Sequence, residues 1–315
     1  MVKPAVLLTK RIPRSAFTRL EAACAVDLND HETDLTHDEL VQRVRGKQGL
    51  IALLTNTVNK DVIAAASDLK VIANIAVGYN NIDVPAARAR GIVVTNTPDV
   101  LTESSADLTW ALILGITRRV VEGDRLVRAG QWKGWALDFM LGTELGGKQL
   151  GIVGMGRIGR AVATRAAVFG MRIAYTSRTP QEIPNAEPMP LDRLLSTSDV
   201  VSLHCPLTPE TRHLINQPAF ARMKRSAYLI NTSRGPVVDE AALAWALKNR
   251  LIAGAALDVY EEEPKVHPDL LSLENIVLAP HLGSATTETR TAMADLAVRN
   301  AIAVLTGQAP LTPVA

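Results

Sequence analysis

Between residues 149 and 175 the chain runs through an apolar strand, a tight glycine turn, a helical stretch and a second apolar strand. The first strand is Leu150-Gly151-Ile152-Val153, the turn is Gly154-Met155-Gly156-Arg157-Ile158-Gly159, and the second strand is Met171-Arg172-Ile173-Ala174-Tyr175. Between them Val162, Ala163, Ala166, Ala167 and Phe169 recur at helical spacing. This is the unit that binds a dinucleotide in parallel α/β sheets. Gly154 allows the sharp turn, Gly156 lets the backbone approach a pyrophosphate, and Gly159 lets helix and strand pack closely. The diphosphate would rest on the unpaired N–H groups and positive end of the helix starting near Arg157. A glycine pattern alone also fits an ordinary turn; the flanking strands and helix at the right distances favour the dinucleotide.

A chain of 315 residues exceeds the usual size of one hydrophobic core, so two domains are expected. Basic and acidic residues, 34 and 32, are interspersed along the chain for a formal net charge of +2, and only 4% of residues are aromatic. That balance argues against a nucleic-acid partner. Cys24 and Cys205 are too few for a disulfide framework, the start Met1-Val2-Lys3-Pro4 lacks a signal-peptide pattern, and no stretch approaches the roughly 20 apolar residues of a membrane span. A cytoplasmic protein without a membrane partner is expected.

Short apolar runs alternate with helical stretches, the pattern of parallel sheets covered by helices. Strands are expected at 5–8, 49–54, 71–76 and 92–95, forming a first α/β unit. A long helix is expected after Thr97-Pro98-Asp99, and then an irregular stretch at 129–142 that contains Trp132, Trp135 and Phe139. Such aromatics in a glycine-punctuated loop call for a cover, either their own domain or a second subunit. The second unit continues from residue 149 through strands at 200–203, 227–231, 253–257 and 275–278. A helix at about 286–305, with no strand after it, is free to pack back on the first unit.

The end of the second dinucleotide strand meets the adenosine ribose, where a carboxylate selects NAD. Here that end is Ser177-Arg178-Thr179, without a carboxylate. Ser177 and Thr179 can donate to a 2′-phosphate and Arg178 can pair with it, so NADPH is expected in preference to NADH. The competing reading of Arg178 is a solvated loop cation.

Three further segments put polar residues directly after apolar strands, where ligands collect in open α/β sheets. They are Asn231-Thr232-Ser233-Arg234-Gly235, Asp258-Val259-Tyr260-Glu261-Glu262-Glu263-Pro264 and Pro280-His281-Leu282-Gly283. Singly, each has a bland reading: a solvated arginine, an exposed acidic face, a satisfied histidine. His31, His37, His213 and His267 fall in polar loops without a motif. His204 follows a strand and is expected to line the cofactor site through its backbone. His281 stands apart because a proline and a glycine fix its loop.

The order of GMGRIG, NTSRG, LDVYEEEP and PHLGSAT resembles the D-isomer-specific 2-hydroxyacid dehydrogenase family over essentially the whole chain. Asn74-Ile75-Ala76-Val77-Gly78-Tyr79 and Thr97-Pro98-Asp99-Val100-Leu101-Thr102 resemble its glyoxylate and hydroxypyruvate reductase branch, which includes 2-ketogluconate reductases and commonly uses NADPH. The resemblance implies that Arg234 binds the substrate carboxylate, His281 donates the proton and Glu263 pairs with His281. The chemistry agrees: guanidinium is a planar fork for a carboxylate, imidazole a donor suited to neutral pH, and a neighbouring carboxylate orients it. By the same resemblance Val77 and Gly78 anchor the carboxylate through backbone N–H groups, and Leu54 lines the pocket. Trp135 reaches the partner subunit's site, which favours a homodimer through about 123–148. The cofactor contacts implied are Gly154, Gly156, Arg157, Ile158, Gly159, Ser177, Arg178, Thr179, His204, Pro206, Thr211, Thr232, Asp258, Gly283 and Ser105, with Asp258 accepting from the nicotinamide carboxamide. Glutamate at 263, where formate dehydrogenases carry glutamine, argues against formate oxidation.

The expectation is therefore an α/β protein with two doubly wound, parallel-sheet, Rossmann-like domains and a cleft between them. Residues 1–100 and 284–315 would form the substrate domain and 101–283 an inserted NAD(P)-binding domain. The expected activity is NADPH-dependent reduction of glyoxylate, hydroxypyruvate or a related 2-keto acid to the D-2-hydroxy acid, with no metal. Two alternatives stand: a dehydrogenase of another D-2-hydroxy acid such as lactate or phosphoglycerate, and a non-catalytic dinucleotide sensor like the related corepressors.

Overall fold

A computed structural model describes residues 2–179 and 182–314. The chain divides into two compact units, one running to Leu101 and resuming at Thr286, the other spanning Thr102–Ala285.

The first unit holds five parallel strands: β1 (Ala5–Leu8), β2 (Ala25–Leu28), β3 (Gly49–Leu53), β4 (Val71–Ile75) and β5 (Val93–Thr95). Their order is β2-β1-β3-β4-β5, a doubly wound arrangement. Strands β3 and β4 are apolar almost throughout because helices cover both faces of a parallel sheet. Leu7, Leu50, Ile72 and Val94 join Val62, Ile63 and Ala87 in one core. The terminal helix Thr287–Leu305 packs on β3 and β4 and on the helix Arg14–Ala23. Thr286, at the start of the expected helix, is instead its cap and accepts from the Thr289 N–H.

The second unit holds seven parallel strands: β6 (Gln149–Val153), β7 (Arg172–Thr176), β8 (Ala186–Pro188), β9 (Val200–Leu203), β10 (Tyr228–Asn231), β11 (Gly254–Leu257) and β12 (Ile276–Leu278). Their order, β12-β11-β10-β9-β6-β7-β8, is the dinucleotide-binding order with one added strand. It reverses at β6, which pairs with β7 on one side and β9 on the other. Alternate residues feed opposite faces. Val153, Leu203, Leu229 and Leu257 pack with Phe220 and Leu243, whereas Ile152, Val200, Ile230 and Ala256 pack with Ile113 and Val162. Trp110, from the helix Thr102–Thr117, stacks on Phe169 at 4.4 Å and donates its indole N–H to the Val162 carbonyl.

Several elements differ from expectation. Strands β2 and β8 were not expected: both lie at sheet edges, only Val26 and Leu28 of β2 are strongly apolar, and β8 ends in a proline, which an edge tolerates. Strand β3 stops at Leu53, so Leu54 lies just beyond it. A helix at Val120–Arg128 contributes no buried residue. The aromatic stretch meets its own unit at its far end, where the Leu141 carbonyl accepts from Arg119 and the Thr143 N–H donates to the Thr117 carbonyl, while Trp135 and Leu137 are each 82% exposed and Leu141 67%. Among the described residues no helix is long and apolar enough to cross a membrane.

Candidate active site

The three glycines after β6 do three different jobs. Gly154 adopts φ 99°, and a β-carbon there would lie 2.5 Å from the Cys205 nitrogen, so the position excludes a side chain. A β-carbon on Gly159 would come within 2.3 Å of the Gly154 carbonyl oxygen, at the contact of helix with strand. Gly156 caps the helix Arg157–Ala166 and has nothing within 4 Å of where its β-carbon would be. No side chain caps this helix start and no acidic residue lies in its first turn. Open space over a glycine backbone beside uncapped N–H groups fits a pyrophosphate. Arg157 is exposed at the first helical position, and Ile158 packs against the helix-side core.

Beyond β7 the Ser177 hydroxyl donates to the Thr179 carbonyl at 2.7 Å, while Arg178 and Thr179 are exposed. Glu210, which sequence reading passed over, lies within electrostatic reach of Arg178. The Thr208 hydroxyl chiefly, and Arg178 to a lesser degree, hold the Glu210 carboxyl below its ordinary range. The Thr211 hydroxyl ties this loop together, donating to the Pro206 carbonyl at 2.7 Å and accepting from the Thr208 N–H at 2.8 Å. The backbone N–H of His204 is spent within the sheet on Val153 O, at 2.7 Å. Its ring meets the Ser202 hydroxyl at 2.8 Å, and burial pushes its pKa down to about 4, so it is neutral at pH 7.

The helix Thr102–Thr117 steadies two strand-end loops, through Thr109 and Thr232 hydroxyls 3.0 Å apart and through Ser105, which donates to the Gly283 carbonyl at 3.3 Å.

Arg234 follows β10 on a turn made by Asn231. The Asn231 side-chain oxygen accepts from the Ser233 N–H and hydroxyl, and its amide donates to the Arg234 carbonyl at 3.0 Å. Gly235 lets this loop press against the next: a β-carbon there would sit 1.8 Å from the Tyr260 carbonyl. Burial pushes the Arg234 guanidinium below its ordinary range and the nearby Glu263 carboxylate acts the other way. Arginine remains a cation at such sites, so a half-buried positive charge results.

Glu263 and His281 form a pair with Nδ1 and Oε2 2.8 Å apart. The other Glu263 oxygen accepts from the Tyr260 N–H at 3.1 Å. Burial opposes ionisation of Glu263, but the His281 bond and charge, the Tyr260 N–H and Arg234 outweigh it and hold the carboxyl below its usual range. An ionised Glu263 requires a proton on Nδ1, which leaves Nε2 as the nitrogen facing chemistry. The Tyr260 hydroxyl, pushed up to about 12 chiefly by burial, donates to the Ala279 carbonyl and ties the two loops together.

His281 sits at φ 54° in the left-handed region, and Asp258 holds it there. The Asp258 carbonyl accepts from the His281 N–H at 2.9 Å, and its carboxylate accepts from Leu282 and Gly283 at 2.6 and 2.8 Å. Burial pushes the Asp258 carboxyl up, while those two N–H groups pull it down. Beside the cofactor contact implied for it, Asp258 thus anchors the loop that carries His281, a role that sequence spacing does not reveal. Asn231 and Tyr260 were likewise missed, though an asparagine closing a strand before Thr-Ser is a readable turn signal.

In the first unit, Val77 and Gly78 follow β4. Their carbonyls accept from Asn96 at 2.8 Å and Asn74 at 2.9 Å. Because a trans peptide points its N–H opposite to its carbonyl, the Gly78 N–H faces away from Asn96. Leu54 is half-buried at the end of β3. Among the described residues no cluster of three or more His, Cys, Asp or Glu could hold a metal.

A dinucleotide-type sheet carrying a half-buried cation and an imidazole–carboxylate pair at its strand ends defines a class, the dinucleotide-binding α/β proteins with polar groups gathered at the carboxyl ends of the strands. Residues 110–283 match the family described as "D-isomer specific 2-hydroxyacid dehydrogenase, NAD binding domain". A glyoxylate reductase of Thermococcus onnurineus is 47% identical over 99% of this chain and 96% of its own length. One from Thermofilum pendens is 49% identical over 98% of this chain and 94% of its own. The crystal structure of an NADPH-dependent glyoxylate/hydroxypyruvate reductase from Sinorhizobium meliloti, in complex with NADP and malonate, superposes with a TM-score of 0.89 at 37% identity, covering 99% of this chain and 97% of that one. The chain belongs to the D-isomer-specific 2-hydroxyacid dehydrogenase family and is an oxidoreductase of it.

Proposed function

We propose that this chain reduces glyoxylate, hydroxypyruvate or a related 2-keto acid to the D-2-hydroxy acid with NADPH. The observation that carries the reading is the His281–Glu263 pair at 2.8 Å with Arg234 within electrostatic reach of the same carboxylate. Arg234 pairs with the substrate carboxylate and orients the keto group. Reduced nicotinamide, when bound, supplies the hydride. His281 Nε2 gives its proton to the keto oxygen as that oxygen gains charge, and Glu263 stabilises the ring through Nδ1–H. Gly154, Gly156, Gly159 and the helix start hold the pyrophosphate. The names of the archaeal relatives favour glyoxylate, and the absence of a carboxylate from Ser177 to Thr179 favours NADPH. Glu210 tempers the positive charge of Arg178, and the Ser177 hydroxyl proton is spent on the Thr179 carbonyl, so the 2′-phosphate donors this reading relies on are Arg178 and the Thr179 hydroxyl.

A panel of glyoxylate, hydroxypyruvate, 2-ketogluconate, pyruvate and phosphohydroxypyruvate with both cofactors tests this. The first two are expected to lead, with kcat/KM about ten-fold or more higher for NADPH, the scale of one charge-assisted hydrogen bond. A ratio favouring NADH refutes the cofactor assignment; pyruvate or phosphohydroxypyruvate leading favours the alternative dehydrogenase. No turnover with any of them favours the non-catalytic sensor.

We further propose that a second copy of the chain covers the segment at 123–148. Exposed Trp132, Trp135, Leu137 and Leu141 lie there, beside the helix Val120–Arg128 and a cavity of about 260 Å³ lined by Arg119, Tyr228 and Arg250. Sedimentation of the same preparation is expected to give a two-chain particle; a monomer contradicts it.

A further inference from the structure

We propose that His213 is a positioning residue for the reaction, fixing the spacing between the loop that carries Arg234 and the segment that carries Glu263. The proposal rests on the roles given to those two residues above.

His213 touches both loops. Its N–H donates to the carbonyl of Pro236, two residues beyond Arg234, at 2.8 Å. Its Nε2 lies 2.7 Å from Oε2 of Glu261, two residues before Glu263. The backbone is held at φ 50° to make both bonds, in a region that histidine enters more readily than most residues but rarely without cause. Ile215 extends the seam, donating to Val237 O at 3.1 Å and accepting from Asp239 N at 3.0 Å.

The other side of the bracket is equally specified. Glu261 and Glu240 cap one another reciprocally: Glu261 Oε1 accepts from the Glu240 N–H at 2.9 Å, and Glu240 Oε1 accepts from the Glu261 N–H at 2.6 Å. The second Glu240 oxygen accepts from the His267 N–H at 3.1 Å. Glu240 is only 5% exposed and opens the helix Glu240–Lys248, whose cap Asp239 closes the Arg234 loop. The Glu263 segment is therefore pinned at both ends to that helix start, and His213 supplies the cross-brace to the arginine loop. With the Glu261 carboxylate already occupied by a backbone N–H, the imidazole is the donor that completes it. A site that needs a carboxylate-binding cation and a proton donor in one geometry is sensitive to such a brace, since a displacement of about 1 Å costs up to about a hundred-fold in rate.

The experiment compares wild type, His213→Ala and His213→Gln. Glutamine can present an amide N–H near the imidazole Nε2 position and keep the Glu261 bond without a ring. For H213A, kcat/KM for glyoxylate is expected to fall about ten-fold or more while the NADPH dissociation constant, read by nucleotide fluorescence, stays within about two-fold. H213Q is expected to recover most of the loss. If H213A does not fold, Glu261→Gln, which removes the carboxylate acceptor, is read by the same split. Wild-type kinetics in H213A, a parallel loss of NADPH binding, or no recovery in H213Q overturns the proposal while leaving the reductase reading intact. A wild-type protein that reduces no 2-keto acid overturns both.

Discussion

His281→Asn is expected to lower kcat for glyoxylate by about 10²–10⁴-fold while leaving NADPH binding within about two-fold. Asparagine suits the φ of 54° better than most residues, and its amide can stand in for Nδ1 against Glu263. The substitution therefore spares the loop and the carboxylate but deletes Nε2, the nitrogen that delivers the proton. Because Asp258 holds Leu282 and Gly283 through backbone N–H groups, the loop keeps its anchors in the variant. Stopped-flow reduction with saturating glyoxylate reads the loss in the chemical step. Turnover within a few-fold of wild type removes His281 from the role of proton donor.

The second large effect is at Arg234. Arg234→Lys keeps the charge but replaces a rigid fork by a flexible point donor, and kcat/KM for 2-keto acids is expected to fall by roughly 10²–10³-fold, the scale of a broken buried charge pair. Much of the loss should appear in KM, whereas the His281 variant loses kcat. The Asn231 side chain holds the Arg234 carbonyl and Gly235 passes close over Tyr260, and neither contact uses the Arg234 side chain, so the loop should persist. Initial rates across substrate concentration, beside a thermal melt, separate the two contributions. A lysine variant with unchanged KM and kcat contradicts carboxylate binding by Arg234.

Much of this site was legible in the chain because local chemistry specifies it. Gly154, Gly156 and Gly159 have their meaning within six residues, and the buried strands β6, β9, β10 and β11 announce themselves as apolar runs. Arg234, Glu263 and His281 each follow such a strand. What escaped was set by partners distant in sequence. His213 sits in a polar loop and reads as bland, yet its ring meets Glu261, 48 positions away. Asp258 reads as a cofactor contact, while its carboxylate also binds backbone N–H groups 24 and 25 positions on. The acidic run Glu261-Glu262-Glu263 resembles an exposed face, but Glu261 braces a helix start and Glu263 orients an imidazole. Edge strands β2 and β8 lack the apolar run because pairing, rather than burial, makes them strands. The aromatic stretch leaves two covers open in the sequence, and in the single chain Trp135 and Leu137 are bare while the Leu141 carbonyl is held by Arg119 of the same unit.

Direct hydride delivery to the keto carbon, with a proton to the oxygen, is the core of the proposed chemistry. It is read by incubating the wild-type protein with hydroxypyruvate and NADPH deuterated at both C4 positions, then analysing the product by mass spectrometry and chiral chromatography. D-glycerate bearing one deuterium at C2 is the expected product. L-glycerate, product without deuterium, or no product at all would contradict it.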